Sequence, residues 1–227
     1  MARFESEQKK AILKAAVGVF ADKGWKGATI RLVGRKACVN SALMYYYFEN
    51  KRVLFEECIR LVLEGFLESL QAGGRQFGDG RDRVRFLVDG ILDYFLKWPE
   101  RGQLMSIALD YHPELFGRVL TRFASSKVLT PLIILQDGMK KGEIQSLHPV
   151  HAWWAIMGVC RFSLHMHGVL KHLNRRVMPF EVPDMSARRE TIVDLLSHGL
   201  CSAEKRVRTE KIGKAISQSR KARQVKP

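Results

Sequence analysis

The stretch Ile30–Lys51, IRLVGRKACVNSALMYYYFENK, constrains the fold more than any other part of the chain. It reads as a short helix, a three-residue turn, a second short helix and the start of a third. Thr29 is placed to cap the first helix, because its hydroxyl accepts from a backbone amide two or three residues on. Leu32, Val33 and Ala37 give that helix an apolar face. Cys38-Val39-Asn40 has room only for a tight turn. Ser41–Tyr47 is about two helical turns, with Met44 and Phe48 four apart and so on one side. Ser41, Leu43, Tyr45 and Tyr46 point elsewhere. Two short helices across such a turn are either an ordinary hairpin in a helical core or a helix-turn-helix, whose second helix enters the DNA major groove.

The identities around the turn separate these readings. Thr29, Ala37-x-Val39-Asn40-x-Ala42-x-Met44-Tyr45-x-Tyr47-Phe48 and Lys51, with Ile12-Leu13-x-Ala15-Ala16, Phe20 and Gly24 upstream, resemble the DNA-binding domain of TetR/AcrR-family transcriptional regulators. The resemblance covers roughly residues 1–60. It departs at Cys38, where the family usually has glycine; a side chain there is costly if the turn needs φ > 0. Beyond residue 60 only the helical layout is similar. The resemblance implies that Thr29, Tyr47 and Lys51 contact phosphates, that the remaining helices bind a small effector, and that the last two form a homodimer through a four-helix bundle.

Charge supports a polyanionic partner. The formal net charge is +15, distributed as +6 over residues 1–60, +1 over 61–204 and +8 over 205–227. A basic helix-turn-helix domain fits duplex DNA, whose phosphates supply most sequence-independent affinity. The basic tail is read as a solvated, flexible segment. Ser41 lies at the groove end of its helix, and its hydroxyl tolerates several bases. Asn40 and Ala42 flank it, Leu43 suits the thymine methyl, and Tyr45, Tyr46 and Tyr47 are long enough to reach phosphates or base edges. Arg31 is the nearby cation best placed for DNA. Ser41–Tyr47 holds no Arg, Asn or Gln, so specificity is expected from apolar and tyrosine contacts and from DNA shape. Tyr45 or Tyr47 is expected to pack back against the first helix.

The rest of the chain reads as helix after helix. Glu7–Lys23 carries the stripe Ile12, Leu13, Ala16, Val17 and Phe20 and ends at Gly24, with Trp25 covering the core behind it. Asn50 caps a helix of about five turns running to Gly73-Gly74, a natural lever between two domains. Asp82–Trp98 is apolar nearly all round, and Pro99 opens the next helix. A run from His112 to Gly142 carries Pro131, which predicts a kink or break near Thr130. His148-Pro149 begins a long helix, and Ser186–Ser202 is the last. No strand-like alternation and no repeat is found. The expected fold is all-α, about nine helices in total. Residues 1–50 form a helix-turn-helix DNA-binding domain, 51–203 a helical effector-binding and dimerisation domain, and 204–227 the basic tail.

Phe95, Trp98, Met105, Met139, Trp154, Met157, Arg161, Phe162 and His165 are candidates for an apolar effector pocket. Trp153, His167, Ile192, Leu195, Leu196 and Leu200 are candidates for the dimer interface. Of five histidines near one helix, His148 and His151 can share a face, as can His165 and His172. No carboxylate or cysteine stands at a supporting spacing, so no metal and no cofactor is expected. Cys38, Cys58, Cys160 and Cys201 form no Cys-x-x-Cys pattern, and three of them lie on apolar faces. With no signal peptide and no long apolar run, a cytoplasmic protein is expected. The absence of phosphate-loop, nucleophile-elbow and metal-ligand motifs speaks against an enzyme. The favoured function is a repressor that binds a near-palindromic operator as a homodimer and is released by a small, largely apolar ligand. The alternative is a non-specific or architectural DNA binder without an effector.

Overall fold

The computed structural model describes residues 2–71, 75–123, 130–170 and 184–201. Among these residues there are ten helices: α1 (Ala2–Gly27), α2 (Ile30–Lys36), α3 (Ser41–Tyr47), α4 (Lys51–Ser69), α5 (Gly80–Lys97), α6 (Pro99–Tyr111), α7 (Pro113–Phe123), α8 (Thr130–Lys140), α9 (Pro149–Leu170) and α10 (Met185–Leu200). The tenth arises where Pro131 predicts a break. The run is two helices, α7 and α8, and Pro131 occupies the first turn of α8, where its missing N–H costs nothing. α1 begins at Ala2, earlier than its apolar stripe. Gly24 interrupts it at φ 66°, a conformation a side chain would disfavour. The one strand-like pairing among the described residues is a single antiparallel bridge, Ile144 to Cys201. The expected flexibility of the tail lies outside the described residues.

The described residues fall into two compact units. The first takes residues up to Gln71 together with Asp93–Thr130, and the second takes the others. In the first unit α1 packs on α2, α4 and α6, and α4 packs on α6 and α7. The apolar stripes meet here: Ile12, Leu13, Ala16, Val17 and Phe20 of α1, Val33 of α2, Met44 and Phe48, and Leu54, Phe55, Cys58, Ile59 and Val62 of α4 are all buried. Phe20, Trp25 and Phe55 form an aromatic cluster with His112, at ring separations of 4.5–6.0 Å. Further along α4, the Tyr94 hydroxyl donates to the Val62 carbonyl at 2.9 Å and accepts from Arg101 at 2.8 Å. On the outer side Glu56 draws in Arg118 at 2.6 Å and Arg122 at 3.6 Å. These contacts join α4 to α6 and α7 by both packing and charge.

The second unit is organised around a buried arginine. Arg83 of α5 is 1% exposed. Its Nε donates to Glu143 at 2.7 Å, one terminal nitrogen donates to Asp137 at 2.7 Å, and the other donates to the Ile134 carbonyl at 3.2 Å. The Phe77 ring lies 4.8 Å from the guanidinium carbon. A cation this deep is tolerated only when paired and hydrogen-bonded. Arg83 thereby fixes the start of α5 to α8 and to the turn that follows it. Reading Asp82–Trp98 as apolar nearly all round misses this residue. At the surface Arg85 meets Glu190 in a two-pronged pair at 2.6 Å, and Arg189 meets Asp89 at 2.9 Å, tying α10 to α5.

The two kinds of ion pair predict different costs. Glu143→Ala leaves Arg83 short of a buried partner and is expected to lower stability by about 3 kcal/mol. Glu190→Ala removes an exposed partner, screened by solvent, and is expected to change stability far less. Urea unfolding midpoints of the two variants check the contrast.

Candidate nucleic-acid interface

Three side-chain caps define the head. The Thr29 hydroxyl accepts from Leu32 N–H at 3.1 Å, Asn40 Oδ1 accepts from Leu43 N–H at 2.8 Å, and Asn50 Oδ1 accepts from Val53 N–H at 3.0 Å. Each cap satisfies an amide that the helix leaves without a partner and contributes about 1 kcal/mol. Between α2 and α3 the chain closes by paired bonds, Val39 N–H to the Gly34 carbonyl at 2.9 Å and Cys38 N–H to the Arg35 carbonyl at 3.2 Å. This is a Schellman termination, and its hinge residue must be left-handed. Cys38 fills that position at φ 55°, the only non-glycine with positive φ among the described residues. The glycine-like conformation expected at this point of the turn is therefore present, with a Cβ in it. Gly34 lets the turn come close: a Cβ there would lie 3.1 Å from the Val39 carbonyl oxygen and 3.3 Å from Met44.

α3 is thus anchored on one side and open on the other. Met44 and Phe48 are fully buried. Ser41, Ala42, Tyr45 and Tyr46 share the opposite face by helical spacing and are exposed, Tyr45 at 59% and Tyr46 at 70%. Leu43 is half-buried. Tyr47 turns back to α1, its hydroxyl donating to Gln8 at 3.4 Å, as expected for one of the tyrosines. The Tyr46 ring stands edge-on against Tyr47 at 5.1 Å, which steadies the exposed ring. Thr29 and Arg31 are exposed, and Arg31 has no carboxylate partner among the described residues. As a cap, Thr29 uses only a lone pair, so its O–H remains a donor. Asn40 uses its carbonyl oxygen and keeps its amide N–H groups.

Lys51 is more deeply involved with its own chain than its sequence position suggests. Its ammonium donates to the Trp25 carbonyl and lies 4.5 Å from the Trp25 ring. Burial draws its pKa below the usual lysine range. An ammonium carries three donors, so this contact leaves others for an anion. Trp25 covers the core, as expected, and brings Lys51 to the aromatic cluster that contains His112. In the sequence His112 marks only the start of a helix. No sequence signal marks its place beside Trp25 and Phe55, because that contact joins residues far apart in the chain.

The remaining candidates are dispersed. Phe95, Trp98 and Met105 belong to the first unit: Phe95 packs on Phe66 and Tyr94, Trp98 lies under Arg101, and Met105 is buried. Met139, Trp154, Met157, Arg161, Phe162 and His165 belong to the second unit. Trp154 and Phe162 are 63% and 67% exposed, on the outer face of α9 with Val159 and Val169. Phe162 lines an open groove of about 460 Å³ with Val159, Met166 and Arg188. Ile192, Leu196 and Leu200 are buried within their own chain, and Trp153 and His167 are half-buried, whereas Leu195 is 66% exposed. The His148 and His151 rings lie 4.8 Å apart beside Trp154. Among the described residues no third His, Cys, Asp or Glu joins them, and His172 lies outside those residues.

The strained turn gives a direct test. Cys38→Gly removes the Cβ from a left-handed residue and is expected to raise stability by about 1 kcal/mol, while Cys38→Val is expected to lower it. Thermal unfolding of the two variants checks the sign of each change.

Residues 12–58 match the profile of bacterial regulatory proteins of the tetR family. The chain is 26% identical over 198 residues to the HTH-type transcriptional repressor NicS of Pseudomonas putida, covering 83% of this chain and 90% of that one. The fold is similar to that of a TetR-family transcription regulator from Marinobacter aquaeolei, with a TM-score of 0.69 at 18% identity over 89% of this chain and all of that one. It is also similar to that of the transcriptional regulator FadR from Bacillus subtilis, in complex with stearoyl-CoA. That comparison has a TM-score of 0.68 at 17% identity over 84% of this chain and 98% of that one. No helix among the described residues is long and apolar enough to cross a membrane. Residues 12–58 match a TetR-type DNA-binding domain, and over most of its length the chain is similar to HTH-type transcriptional regulators and to TetR-family structures.

Proposed function

We propose that the chain is a cytoplasmic repressor with no catalytic role, which binds a near-palindromic operator as a homodimer and is released by a small, largely apolar effector. The observation that carries this reading is the exposed face of α3. Ser41, Ala42, Tyr45 and Tyr46 point away from a core that holds the helix rigidly by Met44 and Phe48. Thr29, Arg31, Asn40, Leu43, Tyr47 and Lys51 complete the set of DNA contacts. Tyr45 and Tyr46 read the groove, and Thr29 and Lys51 hold phosphates. Residues 1–50 act as the DNA-binding domain and 51–203 as the effector-binding and dimerisation domain.

Dimerisation is supported by the outer face of α9 and α10. Trp154, Val159, Phe162 and Val169 of α9 and Leu195 of α10 are large apolar side chains left exposed. Trp154 and Phe162 therefore pass from the effector pocket to the dimer face, and Ile192, Leu196 and Leu200 pass to the core of the protomer. A twofold dimer doubles the few bases that one two-turn helix reads. Effector release is supported by the FadR likeness and by the continuous length of α4. This 19-residue helix spans about 28 Å from Lys51 and packs on α6 and α7. A ligand that prefers another arrangement of the dimer shifts α4 and misaligns the half-sites, through its differential affinity for the two states.

Selection of bound sites from random DNA is expected to return an inverted repeat with half-sites about one duplex turn apart. A diffuse footprint at physiological salt would instead support the architectural alternative. Lys51→Ala is expected to weaken all sequences alike and to flatten the salt slope by about one unit. Tyr46→Ala is expected to change half-site preference in the same selection. Phe162→Asp is expected to convert the dimer to monomer by light scattering, and a dimer of unchanged affinity would remove α9 from the interface.

A further inference from the structure

The second unit holds a half-open cleft of about 380 Å³, distinct from the groove on α9 and lined by Arg75, Phe77, Arg83, Ile133, Ile134 and Lys141. Two features of it are not explained by packing. Ile133 is 55% exposed on its apolar wall. Arg75 is exposed, and its guanidinium carbon lies 5.1 Å from the Phe86 ring centre and 5.5 Å from that of Phe77. Arg75 has no carboxylate partner among the described residues, whereas the other two cations of the cleft do. Arg83 is held by Glu143 and Asp137, and Lys141 pairs with Asp137 at 2.9 Å. Three cations thus face two carboxylates, and the uncompensated charge belongs to Arg75.

We propose that this cleft binds a small amphipathic monoanion, a flat or short apolar body bearing one carboxylate or sulfonate. The body lies against Phe77, Ile133 and Ile134, and the anionic head takes the N–H edge of Arg75. A guanidinium resting on aromatic rings keeps that edge directed outward, so little side-chain freedom is lost when a two-oxygen anion accepts from it. The volume is at the small end of ligand cavities. One uncompensated positive charge suits one negative charge, and the Asp137 carboxylate on the rim opposes a dianion such as a phosphate monoester. The site stands on its own geometry. It rests on the regulatory reading only for what occupancy does to DNA, and the test below reads ligand binding alone.

The probe is 1-anilinonaphthalene-8-sulfonate, compared by fluorescence titration with the uncharged N-phenyl-1-naphthylamine, on the full chain. The expected result is saturable binding with the sulfonate preferred. Arg75→Gln should weaken the sulfonate roughly tenfold, the scale of one charge-assisted hydrogen bond, and leave the neutral probe unchanged. Ile133→Asp should weaken both probes. The proposal is overturned if the full chain binds no sulfonate, if Arg75→Gln leaves the preference intact or lowers both probes equally, or if Ile133→Asp leaves both probes unchanged.

Discussion

A helix of seven residues does not persist in water by itself, since the cost of nucleation is recovered only over about 12–15 residues. α2 and α3 are each seven residues long. The exposed face of α3 depends on what substitutes for their missing length. Caps at Thr29 and Asn40 satisfy their first amides, the Schellman bonds close α2, and burial of Val33, Met44 and Phe48 fastens them to α1 and α4. Full burial of side chains like Met44 and Phe48 is worth roughly 2–3 kcal/mol each. The reading face is therefore rigid because its reverse side is core.

That core extends beyond the head. Trp25 lies between Phe20, Phe55 and His112, and Lys51 closes over it. A side chain at the N-terminal end of α4 is thus in the same contact network as the end of α6. Glu56 repeats the linkage with α7 through charge. The head and these helices form one packing unit, joined at the aromatic cluster. In the second unit Arg83 has a comparable role, as a polar centre on which α5 and α8 agree.

The parts legible in the sequence are those set by local rules. Helix periodicity, the caps at Thr29, Asn40 and Asn50, the glycine break at Gly24, the helix starts at Pro99, Pro113 and Pro149, and the break near Pro131 follow from neighbours within a few positions. The buried Met44 and Phe48 and the inward turn of Tyr47 follow from the same spacing. The parts that were not legible depend on distant partners. Arg83 looks like a surface residue until Glu143, 60 positions away, is brought to it. Trp153 and Trp154 are adjacent, and periodicity alone does not fix which one faces outward. Apolar residues of α10 were equally suited to a core or an interface, and burial assigns Ile192, Leu196 and Leu200 inward and Leu195 outward. Lys51 reads as a phosphate contact, yet its position is first determined by Trp25.

The thiols of this chain differ sharply in accessibility. Cys58, Cys160 and Cys201 are buried, and burial pushes the Cys58 and Cys160 thiols up, away from the reactive thiolate. Cys38 is the one exposed cysteine of the four, and it lies three residues before Ser41, the first residue of α3. A thiol-directed fluorophore or spin label would therefore attach selectively at Cys38 in the folded, unmutated protein. The departure from glycine that strains the turn also provides a native reporter position beside α3, and a twofold assembly would carry two such positions whose separation tracks the spacing of its two heads.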